Sequence, residues 1–467
     1  MGLRSGPNVV VASVLALAVG AATAVASVSV SGCSSDPAGG TSDGGADAPT
    51  TVDSGGPVAN TDSGVLRETC VPLPAPTDAS VTLGPADAPT LATKIADVPS
   101  GATIFLEDGT YPLGSGTIRL DKDDVTLRSK SGERGAVVLD FSGSGVDKDG
   151  VVITGSKVIV ANLTIANAGG NGVHVDASAK DVNGFTLVDV ALQDFGKNGV
   201  LAATDDAFAH KLEKGVVACS LVSQSEASRA RAVAQCGFVG IDAQATYGFS
   251  VRDNRFEGIF CPSSGSSIGV RFWKGARASE IERNAFRDVQ RGIVMGTGAA
   301  TPGRVHSDVC KATNVGAYVG ILRNNMISAQ DPALLASASK FETGIALEKT
   351  CGVDVVHNTV VSGAVPSSSS IEVRYAGSEG NVLSNLMSHT LVPRDGAGDG
   401  VTVSANVERA AATTFVNAAT GDLHVTKDAK DVIDKGAASG RALTDDDFDR
   451  QARDDKPDVG ADEYYAP

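Results

Sequence analysis

The sequence predicts an all-β solenoid, in which short strands wind into coils that stack in parallel over a shared apolar core. Three observations predict it. First, an Asn followed two places on by an apolar residue recurs at Asn254 (VRDNRF), Asn284 (IERNAF), Asn324 (ILRNNM), Asn358 (VVHNTV) and Asn385 (VLSNLM), with degenerate copies at Asn162 and Asp189. Second, a Gly followed by apolar-x-apolar sits between copies, at Gly172 (GVHV), Gly269 (GVRF), Gly292 (GIVM), Gly344 (GIAL) and Gly400 (GVTV). Third, both phrases alternate with period two over a few residues, and the repeats recur every roughly 21 to 40 residues. That is too close for a βαβ unit, and the joints lack regular Asn-Gly hairpin turns. Stacked coils place the Asn amides at one corner, where they bond backbone groups that a sharp bend leaves unpaired, and Gly permits the other corners.

The elements follow in order. Arg4 precedes an apolar run from Val9 to Val30, and small residues lead to Cys33. A positive start, an apolar core and small residues describe a secretory signal over residues 1–32. Val30-Ser31-Gly32-Cys33 resembles the lipobox of bacterial lipoproteins, which implies that Cys33 is acylated and becomes the mature N-terminus. An ordinary signal peptide or an uncleaved anchor is the alternative, since the run is long enough to span a bilayer. By the same resemblance, Ser34 rather than Asp after the acylated residue implies outer-membrane sorting in a two-membrane bacterium, and otherwise secretion. Residues 33–66 are rich in Gly, Ser and Asp and nearly free of large apolar side chains, so they are expected to be a flexible tether.

The solenoid is expected over residues 67–410. Leu91, Ile95 and Val98 fall on one face of a short helix that would plug the first coil, and ATIFLEDGTYPL reads as the first strand and turn. The final 411–467 is the closing segment. The pattern from about Thr103 to Val407 resembles the right-handed parallel β-helix of the pectin-lyase-like superfamily, and DDDFDRQARDDKPDVGADEY resembles the tail that closes many bacterial proteins of that type. The resemblance implies a carbohydrate ligand. At about 4.8 Å per coil the rod would be roughly 45 Å long.

Composition narrows the partners. The 467 residues hold 54 Gly, only 4% aromatics, and 55 acidic against 39 basic side chains, a net charge of −16. An acidic surface argues against nucleic acid, whose phosphates need a basic footprint. A monomer bearing a polysaccharide partner and a lipid anchor is expected. Six cysteines remain after Cys33, and in an exported chain they suggest disulfides. The expected pairs are Cys219 with Cys236 and Cys261 with Cys310, and the spacings match no zinc pattern.

Outward positions of the Gly-phrase strands carry the candidate chemistry: His174 and Asp176, Arg271 and Trp273, Glu348, and Glu372 with Arg374. Trp273, the chain's single Trp, reads with Arg271 and Lys274 as a sugar-stacking platform with cationic partners, and His174 and Arg374 extend it. The insertion after Thr204 holds Asp205, Asp206, His210 and Lys211. There the paired carboxylates suit Ca²⁺ or acid–base work, and the basic residues suit proton abstraction from a sugar. A solvated polar loop is the alternative. Asp395 to Gly400 (DGAGDG) resembles one turn of a calcium-binding repeat, though a tight corner explains it equally. Neither the Gly-His-Gly and Arg-Ile-Lys tripeptides of polygalacturonase-like hydrolases nor the Trp-Ile-Asp-His signature of a pectate lyase group occurs. Three functions therefore compete: a glycan-binding surface lipoprotein, a uronic-acid polymer lyase or epimerase using Ca²⁺, and a structural or adhesive rod.

Overall fold

The computed structural model describes residues 70, 73, 80–231, 236–263, 265–298 and 302–465. The signal segment, the whole of the tether and the lipidation residue Cys33 lie outside the described residues. Within them the chain is a parallel β-helix. A twenty-stranded sheet bends around two sides of the coils and a ten-stranded sheet forms the third. All solenoid pairings are parallel, for example Ser250–Arg252 on Ala276–Glu282 and Ile268–Trp273 on Arg291–Met295. Parallel strands joined by successive crossovers take the right-handed course. Among the described residues no helix is long and apolar enough to cross a membrane.

The core follows from the alternation. Val200, Ile241, Val270, Ile293, Ile345 and Ile371 occupy equivalent inward positions and are wholly buried. Phe249 packs edge-on against Phe185 and Phe272 at 5.3 Å, and Phe256 stacks on Phe286 at 4.6 Å. Gly215 makes room for this stack, because a Cβ there would lie 2.3 Å from the Phe185 ring. At the N-terminal end, helix Leu91–Ala96 buries Leu91 and Ile95, and Val98 just beyond it is buried too. The first strand is earlier than expected: Ser80–Leu83 pairs with Thr103–Leu106, its exposed sequence giving little alternation to read.

The repeated Asn phrase resolves into two columns. Asn254, Asn284, Asn325, Asn358, Asn385 and Asn406 form a buried ladder, each amide donating to the next Oδ1 at 2.9–3.0 Å. Each also donates to a strand carbonyl, as Asn284 does to Val251 at 2.9 Å. The third ladder member is Asn325, not Asn324. Asn324 belongs with Asp253, Arg283, His357 and Ser384 in the preceding column, whose φ of 50–58° turns the corner left-handed. Asn162 and Asp189 sit in that column as well (φ 55° and 50°), so the earlier copies are in another register. The Gly phrase also has a different cause from the one expected. Gly240 and Gly292 lie in strands, and a Cβ on either would sit 2.4 Å from the carbonyl oxygen of the next Gly in the stack. They are there for close approach and not for a positive φ.

The disulfides correct the expected pairing. The bonds are Cys70–Cys219, Cys236–Cys261 and Cys310–Cys351. The adjacent residues in space are set by which coil each loop crosses, a fact the linear spacing does not carry. Three disulfides suit a chain that is secreted or displayed at the surface.

The C-terminal segment lies along the rod. Its antiparallel hairpin, Phe415–Asn417 with Asp422–Val425, and Val432, Phe448, Val459 and Ala461 pack on Met326, Val361 and Leu386. It docks on the left-handed column. Asp253 meets Arg450 at 2.6 Å, Arg283 meets Asp446 at 2.8 Å, and Ser384 Oγ accepts the Ala437 N–H at 2.8 Å. Arg453, wholly buried, donates to Asn324 Oδ1 at 3.0 Å and to Glu463 at 3.0 Å.

Candidate functional site

The outer face of the ten-stranded sheet carries the predicted substrate residues along one strip: His174 and Arg271 share a register line, and Trp273 and Arg374 lie two residues further along their strands. His174 on Val173–Ala177, Arg271 and Trp273 on Ile268–Trp273, and Arg374 on Ser369–Arg374 are three strands apart in turn. At about 4.8 Å per strand the strip from His174 to Arg374 is roughly 29 Å long, a length that suits an extended chain rather than a small molecule.

Trp273 is its centre. The ring is half-buried, and Nε1 donates to Asp242 Oδ1 at 2.6 Å. Asp242, one strand away and buried, also takes both arms of Arg271, at 3.0 and 2.8 Å. The Arg271 guanidinium lies 4.7 Å from the indole centroid and the Lys274 ammonium 5.0 Å. One carboxylate thus fixes an aromatic ring and a cation together.

The two insertions meet beside this ring. Lys274 pairs with Asp206 at 3.2 Å, and Arg304 of the second insertion donates to the His210 carbonyl of the first. The second insertion is pinned by Cys310–Cys351, by Arg277 on Asp308 at 2.9 and 3.0 Å, and by His306 Nε2 against the Gly275 carbonyl at 2.8 Å. Within the first insertion the neighbouring aspartates take different partners. Asp205 accepts the N–H groups of Ala207, Ala209 and His210 at 2.9–3.2 Å, closing its own turn. Burial pushes its carboxyl up, but these backbone bonds outweigh it and hold it below the ordinary range. Asp206 is exposed apart from Lys274. His210 Nδ1 lies 3.5 Å from Asp181, and Lys211 is exposed, its backbone N–H bonded to the same Asp181.

At the N-terminal end of the strip, His174 Nδ1 lies 2.8 Å from Asp149 Oδ2. Asp149 also accepts from Asn171 at 2.7 Å, and Asn198 donates to Asn171 at 2.6 Å. Burial raises the Asp149 carboxyl, yet the His174 and Asn171 bonds prevail and hold it low. A carboxylate that orients an accessible imidazole is the arrangement of a general base.

At the other end the outward carboxylates are enclosed. Glu348 and Glu372, expected to be open, are buried in an ion network: Arg291 to Glu348 at 2.7 Å, Arg394 to Glu372, and Arg374 to Asp395 at 2.8 Å. They point away from the core, and the long Arg side chains of neighbouring strands cover them. Asp395 therefore answers to Arg374, and positive φ at Asp395 (54°) and Gly396 (79°) makes the DGAGDG stretch a tight corner.

Asp149 and Asp242 escaped the reading of the sequence. Asp242 was recoverable: aligning Gly240 with Gly269 places it one coil below Arg271. Asp149 lies in a loop with no periodic signal.

No protein-family model and no curated protein matches the chain. Among solved structures it is similar to pectate lyase Pel9A, at 15% identity over 83% of this chain and 97% of that one, with a TM-score of 0.45. It is also similar to an alginate lyase from Paenibacillus sp. str. FPU-7, at 13% identity over 70% and 97%, TM-score 0.43. A third is the GH136 lacto-N-biosidase from Eubacterium ramulus, at 12% identity over 71% and 67%, TM-score 0.46.

Proposed function

We propose that this is an exported protein, anchored through an acylated Cys33 at the bacterial surface, that binds a polysaccharide along the outer face of its ten-stranded sheet. The observation that carries the reading is the Asp242-held pair of Trp273 and Arg271, with Lys274 against the same ring, on a strip that also bears His174 and Arg374. An indole supplies apolar area for a sugar ring, and adjacent cations suit carboxylated sugars. Affinity electrophoresis in gels containing pectate, alginate or neutral glycans tests this. Retardation by one polymer, lost in Trp273→Ala, is expected, and mobility unaffected by every polymer would refute it. Palmitate labelling that disappears in Cys33→Ser tests the anchor.

A second reading, a lyase or epimerase acting on a uronic acid polymer, draws support from the Asp149–His174 pair. With Ca²⁺ bound to the polymer's carboxylates, or to Asp205 and Asp206, His174 or Lys211 would take the sugar proton. Unsaturated products absorbing in the ultraviolet, formed from pectate or alginate with Ca²⁺ and abolished by His174→Gln, are what this reading requires.

A further inference from the structure

The C-terminal segment carries a side-chain cluster that the polymer-binding strip does not use. His424 and Asp422 are alternate residues of strand Asp422–Val425, so they share a side of it. Asp422 Oδ1 lies 2.6 Å from the imidazole Nδ1, and Asp449 Oδ2 lies 2.9 Å from Nε2. One His424 ring nitrogen and one oxygen each from Asp449 and Asp462 all lie within 4.8 Å of one another. One ring nitrogen is thus held by Asp422 while the other meets Asp449, the way metal-binding imidazoles are set by an outer carboxylate.

Asp462 supplies an independent indication. It is only 6% exposed, yet among the described residues no Lys or Arg stands within ion-pair distance of it, and it accepts one N–H, from Val425 at 2.6 Å. The buried guanidinium of this segment, Arg453, is committed to Glu463. Without the His424 imidazole as its cation, burying this carboxylate is costly. His424 and Asp422 line a cleft of about 770 Å³ between hairpin and rod, together with Arg287, Gly421 and Phe448 among others.

We propose that His424 Nε2, Asp449 and Asp462 bind one divalent first-row transition metal ion, with zinc as its representative, and that Asp422 orients His424. One nitrogen and two carboxylate oxygens suit a borderline ion. Three protein ligands leave a position open to the cleft for water or an oxygen anion. This set is distinct from Asp205 and Asp206, which lie in the insertion beside Trp273.

The test uses the full chain, stripped with a chelator and titrated with zinc by calorimetry and with Co²⁺ by visible absorption. One equivalent per chain and ligand-field bands are expected, both lost in His424→Gln and Asp462→Asn. Asp422→Asn should weaken binding roughly 10- to 100-fold, and Asp206→Asn should leave it unchanged. In the unmodified protein, ¹⁵N NMR of His424 should show zinc replacing the Nε2 proton while Nδ1–H stays. A chain that binds no equivalent at micromolar zinc, or whose binding survives both ligand substitutions, overturns the proposal. So does a His424 ring still doubly protonated under excess zinc, a result that needs no variant to fold.

Discussion

An indole that donates its N–H to a buried carboxylate is held in one orientation, and in the proposed binding role that spares the entropic cost of fixing it. That is the role of Asp242 beneath Trp273 and Arg271. Asp242→Ala leaves a guanidinium and an indole N–H without their partner. Denaturant unfolding should record a loss of about 1–3 kcal/mol, and polymer binding should fall with it. His357 makes the second prediction at this scale. It is wholly buried beneath the C-terminal segment, and burial, then the charge of Arg453, holds its imidazole well below the ordinary range. The Arg453 guanidinium and the backbone of Asp458 and Gly460 face it. Because the folded state resists the proton, stability is full above the unfolded value of about 6.5 and falls as pH drops through it. The carboxyls of Asp447, at about 6, and Asp462, at about 7, are raised and act in the opposite sense. The difference between native and His357→Gln stability curves, measured from pH 8 to pH 5, isolates the His357 contribution and should narrow as pH falls. Little of this was legible beforehand. Trp273 and its two cations stood out by residue type and alternation. Asp149, Asp242 and the His424 cluster did not, because partners that meet across coils or along the tail leave no spacing in the chain.

The repeating phrase explains itself once split into its two columns. The Asn amide faces inward and bonds its neighbours above and below. The residue before it turns left-handed and faces the C-terminal segment, which is why Asp253, Arg283, Asn324, His357 and Ser384 differ while the Asn recurs. Asn284→Ala orphans buried groups on two coils, so its cost should exceed the roughly 1–3 kcal/mol of one unsatisfied group. Asn406→Ala, at the ladder's end, should cost less when midpoints are compared. The coil pattern, the ladder corner and the capping helix were readable because they are periodic or amphipathic. Asn324 misled because the pair Asn324-Asn325 offers two amides, and only the coil's register tells which one turns inward.

For the whole molecule, the disulfides and one buried ion pair fix what local alternation leaves loose. Cys70–Cys219 spans 149 residues and Cys236–Cys261 spans 25. In the chain-entropy account these stabilise by about 5 and about 3.5 kcal/mol, so replacing the first pair by Ser should lower the unfolding midpoint more. Arg453 supplies the ion pair. Arg453→Ala strips a buried partner from Glu463 and should cost roughly 3–5 kcal/mol, a loss that calorimetric unfolding would register. Pairings of this reach were beyond the sequence, since they depend on how many coils each loop crosses.

The chain's single Trp makes the central claim directly measurable. Titrating the folded protein with pectate, alginate and neutral glycans, with fluorescence excited at the long-wavelength edge where indole absorbs and the six Tyr do not, watches Trp273 and nothing else. Binding along the ten-stranded face predicts a saturable change with one polymer, abolished in Arg271→Ala. Emission unchanged by every polymer, or a polymer captured by the protein without altering that emission, would contradict it.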